Sequence, residues 1–422
     1  MHKKLFFISI IFFTTIQISS ASYVIIPMDE KQQQNHLKAY GVAYWILTQG
    51  IEVDWLLNYR GGSFAVQGFS AIQNECKIRG VSYEVIADAQ YTKILTEIAD
   101  PGINMDIVKL QKAPKIAVYS PKGKQPWDDA VTLVLSYAEI PYDVVYDEEV
   151  LHEFTLAKYD WLHLHHEDFT GQYGRFYASF RNTEWYKEEV RSNEAMATKL
   201  GFDKVSTMKL AVARKIREFV AGGGFLFAMC SATDSYEIAL AADGIDICEN
   251  MFDHDGTTGQ YWSKLNFENS FAFKDYKLST NPMEYEFSDI DVTTYRNVPK
   301  TQDYFSLFEF SAKWDPIPSM LCQNHTMTVK GFMGQTTAYN KKFIKSNVLI
   351  MGDNKASNEA RYIHGDFGKG TWSFLGGHDP EDYQHMVGDP VTELDLHPNS
   401  PGYRLILNNI LFPAAEKKKQ KT

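Results

Sequence analysis

A chain of 422 residues exceeds one ordinary domain and has the length to bury a large core, arranged as two linked α/β units. The formal net charge of −11 argues against nucleic acid as a partner, because a phosphate backbone rewards clustered Lys and Arg. The four cysteines, Cys76, Cys230, Cys248 and Cys322, are scattered and show no CxxC, which leaves room for one or two disulfides of open pairing in an oxidising compartment.

The N-terminus reads as an address. Met1 to Lys4 is basic, Leu5 to Ile16 is almost wholly apolar, and Ser19-Ser20-Ala21 supplies small residues for cleavage. Residues 1–21 are therefore expected to be a secretory signal peptide, too short and wrongly flanked for a transmembrane anchor. The mature protein is expected to be exported to the periplasm or cell surface, soluble, with no later run of membrane-spanning length. At the other end, residues 414–422 with Lys417 to Lys419 and Lys421 read as a solvated basic tail.

Residues 22–112 read as an N-terminal α/β unit. Tyr23 to Met28 is a buried strand, and Leu37, Tyr40, Tyr44 and Leu47 mark a helix that Gly50 stops. Val53 to Leu57 is the next strand, expected to lie parallel to the first. Gly61-Gly62-Ser63 follows, readable as a ligand-approaching turn but more simply as a plain one. Helices over Phe69 to Arg79 and Ala87 to Ala99 flank a short strand at Tyr83 to Ile86.

Residues 113–413 read as a second α/β domain. Strands are expected at Lys115 to Tyr119, Tyr142 to Tyr146, Tyr159 to Leu164, Phe225 to Met229, Asn347 to Met351 and Gly370 to Leu375. Helices are expected near Trp127 to Glu139, Glu184 to Lys199, Thr207 to Ala221 and from Pro401 onward. Residues 252–345 carry alternating aromatic runs and read as a β-rich insertion.

The segment from Gly222 to Gly244 organises the rest. Three glycines end a helix, an apolar strand follows, and Cys230 stands at a sharp turn before a new helix. Asp234 and Glu237 are spaced as a capping box for that helix. A thiol at a strand–turn–helix elbow is how many α/β enzymes present a nucleophile; the plain alternative is a buried cysteine acting as a small hydrophobe. Two further clusters fall at strand ends, His163/His165/His166/Glu167/Asp168 and His378/Asp379/Glu381, where parallel sheets bind ligands.

The run GGGF, five residues, then SATDS, with a late GGHDP before the last helix, resembles the trehalose-utilisation protein family. That family belongs to the class I glutamine-amidotransferase-like superfamily, so the resemblance implies a flavodoxin-like parallel sheet over roughly Lys115 to Phe412. It leaves residues 23 to 110 uncovered. The family usually has His just before the SATD-like run, where this chain has Cys230. Cysteine there is similar to the class I glutamine amidotransferases, which pair it with a His-Pro-Glu segment; His378-Asp379-Pro380-Glu381 has one residue more.

The expected function is an exported hydrolase or amidotransferase-like enzyme acting at a carbonyl or amide of a small polar substrate, such as a sugar derivative. Cys230 would be the nucleophile, His378 its base, Asp379 or Glu381 the orienting carboxylate, and the Ser231 amide an oxyanion donor. His165, His166, Glu167, Ser231 and Asp234 would line the substrate side. No cofactor is required; zinc held by His165, His166 and His378 is the metal alternative. The insertion and residues 383–397 would roof the pocket. The competing reading is a non-catalytic binding or assembly module of the cell envelope, with an envelope protein as partner.

Overall fold

The computed structural model describes residues 22–123 and 125–416. The expected signal peptide and residues 417–422 of the tail lie outside them. The N-terminal unit is a five-stranded sheet of β1 (Ser22–Ile26), β2 (Val53–Leu57), β3 (Ser63–Gln67), β4 (Glu84–Ala87) and β5 (Asp106–Leu110). Its order is β4-β1-β3-β2-β5 and every pairing is antiparallel.

The expectation of parallel β1 and β2 neighbours is corrected here. Residues 58–62 form a tight turn, with Asn58, Arg60, Gly61 and Gly62 all in the left-handed region, and send β3 back between the two strands. The glycine pair serves this turn, which packs on the chain itself: the Met28 amide donates to the Arg60 carbonyl at 3.2 Å. The result is a split β-α-β arrangement, with helix His36–Thr48 capped by the Asn35 side chain.

The second unit is built on β6 (Ile116–Tyr119), β7 (Asp143–Val145), β8 (Trp161–Leu164), β9 (Phe225–Met229), β10 (Tyr304–Leu307), β11 (Thr328–Lys330), β12 (Tyr339–Asn340), β13 (Leu349–Asn354), β14 (Glu359–Phe367) and β15 (Gly370–Leu375). Five strands are parallel and run β7-β6-β8-β9-β15 across the sheet. Strand order thus reverses at β6, between β7 and β8. β14, β13, β10 and β11 continue the sheet antiparallel from β15, and β12 pairs with β14.

Alternation along β9 shows how the layers form. Phe225, Phe227 and Met229 join one core with Val134 and Ile406 of helices Ala130–Tyr137 and Pro401–Leu411. Leu226 and Ala228 join the opposite core with Val212 and Ile238 of helices Val205–Gly222 and Ala232–Ala241. The chain is therefore a mixed α/β protein with a parallel centre. No helix among the described residues is long and apolar enough to cross a membrane. All four cysteines are free and buried.

The β-rich insertion is also corrected. Residues 252–345 are mostly irregular, with single helical turns and only β10, β11 and β12 as strands, all in the main sheet. Phe271, Phe273, Tyr276 and Phe287 bury their rings against the main sheet's helical face without a ladder of their own. Buried aromatics in a packed loop imitate a strand's alternation. The capping box at 234–237 fails for a similar reason: helix Ala232–Ala241 starts earlier, and Glu237 accepts from the amides of Phe271, Ala272 and Phe273 at 2.8, 2.7 and 3.1 Å.

The two units share one core across helix His36–Thr48. At Gly41 an added Cβ would sit 1.9 Å from the Ala138 carbonyl oxygen, at the end of helix Ala130–Tyr137. Gly41→Ala gains helix propensity but overpacks this seam, so we expect a net loss of about 1–3 kcal/mol in chemical denaturation. An unchanged or raised stability would show that the units yield at this contact.

Candidate functional site

Three strand ends meet as neighbours, those of β8, β9 and β15. Cys230 follows β9 at once with φ +50°, a left-handed conformation uncommon for a residue with a Cβ. Its amide donates to the Gly377 carbonyl at 3.2 Å, and the Ala232 amide donates to the His165 carbonyl at 2.9 Å. These bonds, out of the strands' own register, tie the three turns to one another and bring three side chains together. Cys230 Sγ and one ring nitrogen each of His165 and His378 lie within 4.8 Å of one another. All three residues are buried.

Burial pushes the Cys230 thiol up to about 12, although hydrogen bonds from the backbone of Ser231 and Gln335 pull the other way. The Ser231 backbone is thus engaged with the sulfur itself. The Ser231 hydroxyl is buried and has no hydrogen-bond partner.

Asp379 and Glu381 make no hydrogen bond to the His378 ring, although the Asp379 charge acts on it. Asp379 accepts from the Tyr403 hydroxyl at 2.7 Å and from the Glu381 amide at 2.8 Å, while Glu381 pairs with His397 at 3.2 Å. The groups beside the imidazole are Asp128, whose carbonyl oxygen is 3.1 Å from Nε2 and whose Oδ1 is 3.9 Å away, and the His385 ring, stacked at 3.9 Å. Burial, then the nearby His165, holds the His378 imidazole below its usual range.

His165 has its own carboxylate. Asp129 Oδ1 stands 3.3 Å from His165 Nδ1, and its Oδ2 stands 3.4 Å from His163 Nε2. The same Asp129 side chain caps helix Ala130–Tyr137 through the Val131 and Thr132 amides. Burial alone would raise this carboxyl, but His163 and His165 outweigh it and hold it well below the usual carboxylate range. Sequence reasoning missed Asp128, Asp129 and His385. An Asp just before an apolar helical run was the available signal for Asp129; His385 lies in a loop without any periodic pattern.

His166 and Glu167 turn to the other side of the chain and border a cavity of about 470 Å³. It lies beside β6 and β8, where strand order reverses, the position at which such sheets bind ligands. Trp127, Trp185, Tyr146, Lys209 and Glu189 are among its walls. Its outer wall is helix Glu184–Lys199, not the insertion; residues 383–397 instead dock on the 126–128 segment through the Gly388 amide and His385. Burial, then the charge of Asp129, pushes Glu167 up to about 8. Burial, then His165 and His378, holds His166 well below the usual imidazole range. His166 is not in the close trio with Cys230: its ring lies 6.1 Å from that of His378 and 5.0 Å from Trp127. The zinc set expected from sequence is thereby altered, with Cys230 in the place of His166.

Asp234 is not among the walls of the cavity. Its Oδ1 accepts from the Thr336 hydroxyl at 3.1 Å, and Oδ2 has no partner. Burial, then the neighbouring Asp291, holds its carboxyl well above the usual range, and Asp291 itself is pushed up to about 7 by burial.

No family model and no curated protein matches the chain. Among solved structures it is similar to two cytoplasmic proteins of Salmonella typhimurium, at 11% and 13% identity and TM-scores of 0.33 and 0.35. Each alignment covers 72% of this chain and all of the other. A β-galactosidase from Bacillus circulans aligns at 12% identity and a TM-score of 0.25, over 79% of this chain and 36% of the enzyme. At such scores the likenesses carry no argument about this chain.

Asp234 gives a pH test with a definite sign. Its folded-state affinity for a proton is raised, so its contribution is complete below about pH 4 and fades as pH rises toward the folded value. Asp234→Asn mimics the neutral acid and should flatten the loss of stability with pH above about pH 4. The difference in slope should reach about 1.4 kcal/mol per pH unit, one proton's worth. Equal slopes in urea denaturation from pH 5 to 8 would show that Asp234 ionises in the folded protein.

Proposed function

We propose that the chain is an exported enzyme of the class I glutamine-amidotransferase-like superfamily, built on a flavodoxin-like sheet. It hydrolyses or rearranges a small polar substrate at a carbonyl or amide. The observation that carries this reading is the buried thiol on a left-handed elbow, with two imidazoles inside 4.8 Å at adjacent strand ends. The order β7-β6-β8-β9-β15 supports the flavodoxin-like assignment, being the second-first-third-fourth-fifth order of such sheets.

The substrate occupies the cavity beside β6 and β8, whose mixture of indole rings, carboxyls and a lysine suits a hydroxyl-rich or amide-bearing molecule. His166 and Glu167 form the wall between that cavity and the thiol. In the covalent version the carbonyl passes this wall to reach Sγ, and an imidazole of His165 or His378 takes the Cys230 proton. Sγ adds as the carbonyl π bond opens, and collapse expels the amine or alcohol with that proton, leaving a thioester that water hydrolyses. Asp129 and Asp128 orient the two rings, the part that Asp379 and Glu381 were expected to play.

A second reading, a non-catalytic binding or assembly module of the envelope, is favoured by one observation. Cys230 is only 3% exposed, does not line the cavity, and is kept protonated by burial to about 12. The two readings separate in one experiment: the full chain is incubated with a panel of small amides and sugar derivatives. Under the enzymatic reading Cys230→Ser and His165→Asn each lower turnover at least about 100-fold while melting temperature stays within a few degrees. Ligand binding without turnover, unchanged in Cys230→Ser, would leave only the binding module.

A further inference from the structure

We propose that His165, Cys230 and His378 form a binding site for a zinc-class divalent cation, with the fourth tetrahedral position left to a non-protein ligand such as water. The donor set is the first argument. One sulfur and two imidazole nitrogens match the N/S ligation of zinc, whereas magnesium and calcium require oxygen ligands. Their separations, all within 4.8 Å, need to close by only about 1–1.5 Å to reach the ~3.3–3.7 Å edges of a tetrahedron with ~2.0–2.3 Å metal–ligand bonds.

Unsatisfied polar atoms are the second argument. Nε2 of the fully buried His165 has no hydrogen-bond partner, and the same holds for Asp128 Oδ1 nearby, while Nδ1 of His165 has only the Asp129 carboxylate beside it at 3.3 Å. Buried polar groups are almost always bonded, so a cluster of exceptions around one point calls for an occupant. An apolar core would not keep three such donors together at that cost.

The surroundings of the ligands supply the third. Metal-binding histidines usually give their other ring nitrogen to a carboxylate or backbone carbonyl, which fixes the tautomer. Asp129 Oδ1 stands at His165 Nδ1, and the Asp128 carbonyl stands at His378 Nε2, leaving Nε2 of His165 and Nδ1 of His378 as the free lone pairs. Backbone bonds hold all three residues from behind: His165 O receives the Ala232 amide, Cys230 N donates to Gly377 O, and His378 N donates to Met333 O at 2.9 Å. The ligands are thus preorganised on rigid strand ends.

Other candidate sets are weaker. Asp246, Cys248 and Asp253 also converge, but Lys204 Nζ already neutralises both carboxylates at 2.5 and 3.0 Å. Asp128, His378 and His385 share a ligand with the proposed site and form its internal competitor.

With the ion bound, Cys230 is a ligand and not a nucleophile, since the cation holds a coordinating thiol as thiolate. The site stands on its own geometry and does not require that the centre be catalytic. Cobalt(II) is the probe. Chelator-stripped full chain titrated with cobalt should take up one equivalent, with the visible bands of a tetrahedral centre and a near-ultraviolet thiolate-to-cobalt charge-transfer band. That band should vanish in Cys230→Ser and persist in Cys248→Ser, and His165→Asn should weaken cobalt binding at least about 10-fold. If Cys230→Ser does not fold, the wild-type and Cys248→Ser spectra still decide whether a thiolate other than Cys248 binds. Absence of a charge-transfer band in wild type, its loss in Cys248→Ser, or binding that survives Cys230→Ser but not His385→Asn overturns the proposal. A chain that binds cobalt and turns nothing over keeps this site and loses the catalytic reading; one that binds no cobalt yet turns over its substrate does the reverse.

Discussion

Hydrogen bonds that tie the turns to one another beyond the last regular residues of the parallel ladder are the constraint on which the centre depends. Within β8, β9 and β15 the pairing is ordinary, Leu164 opposite Ala228 and Leu375 opposite Met229. Past those ends, Cys230 N still reaches Gly377 O, Ala232 N still reaches His165 O, and Gly377 N is tied to Thr336 O. The bonding therefore extends into three turns although the register does not, and in these turns Cys230 takes φ +50° and Gly377 φ +99°. Gly377 tolerates this because it has no Cβ, which would meet the Phe332 ring at 2.5 Å. Cys230 does have one, so its strain, of order 1 kcal/mol or more, is held by the surrounding bonds.

Charge around the centre is sorted into two populations by what each carboxyl faces. Asp128 and Asp129 sit against imidazoles and stay ionised despite burial, and Asp129 also receives two amides at a helix start. Asp234, Asp291 and Glu167 face burial first and then a like charge, from Asp291, Glu286 and Asp129 respectively, so their protons are held more tightly. Acids that need a proton to stay buried destabilise the fold as pH rises, while the two beside the histidines lose their benefit only as pH falls. Fold stability is squeezed from both sides, and the balance point lies where both groups keep their preferred forms.

Elements bounded by strong local signals were legible in the sequence. β9 and β15 are apolar runs following glycine, helix Glu184–Lys199 has its Thr183 cap, and helix Pro401–Leu411 has Ser400 and Pro401 at its start. β14 was not, because EARYIHGDF places Glu359 and Arg361 inside the protein, where Arg296 and Asp303 neutralise them. β3 and β5 were hidden by short length and by a glycine turn that reads as a loop. At the site, Cys230, His165 and His378 could be named because strand ends are where side chains of this kind gather. Their neighbours could not, since Asp128 meets His378 only by tertiary packing across 250 residues, and His385, though close in sequence, reaches it through a loop without periodic pattern. Spacing alone favoured Asp379 and Glu381, which are adjacent in sequence yet spend their oxygens on Tyr403, the local turn and His397.

The N-terminal unit, which the family resemblance leaves uncovered, acquires a physical role from its contacts. Helix His36–Thr48 packs against both Ala130–Tyr137 and Pro401–Leu411. The first of these is the helix that Asp129 caps, and the second carries Tyr403, whose hydroxyl holds Asp379. Arg404 and Asn408, also on the second, run fully buried into the N-terminal unit: Arg404 donates to the Tyr40 hydroxyl at 3.1 Å and the Met28 carbonyl at 3.2 Å, and the Tyr40 hydroxyl donates in turn to Asn408. A buried guanidinium satisfied by carbonyls and a hydroxyl leaves little freedom for the two units to slide. The unit thereby fixes from behind the two helices that set Asp129 and Asp379, and with them the imidazole of His165 and the turn that bears His378. Removing it would expose the apolar face of both helices and release the carboxylate on which His165 depends, so the centre and its N-terminal support form one mechanical piece.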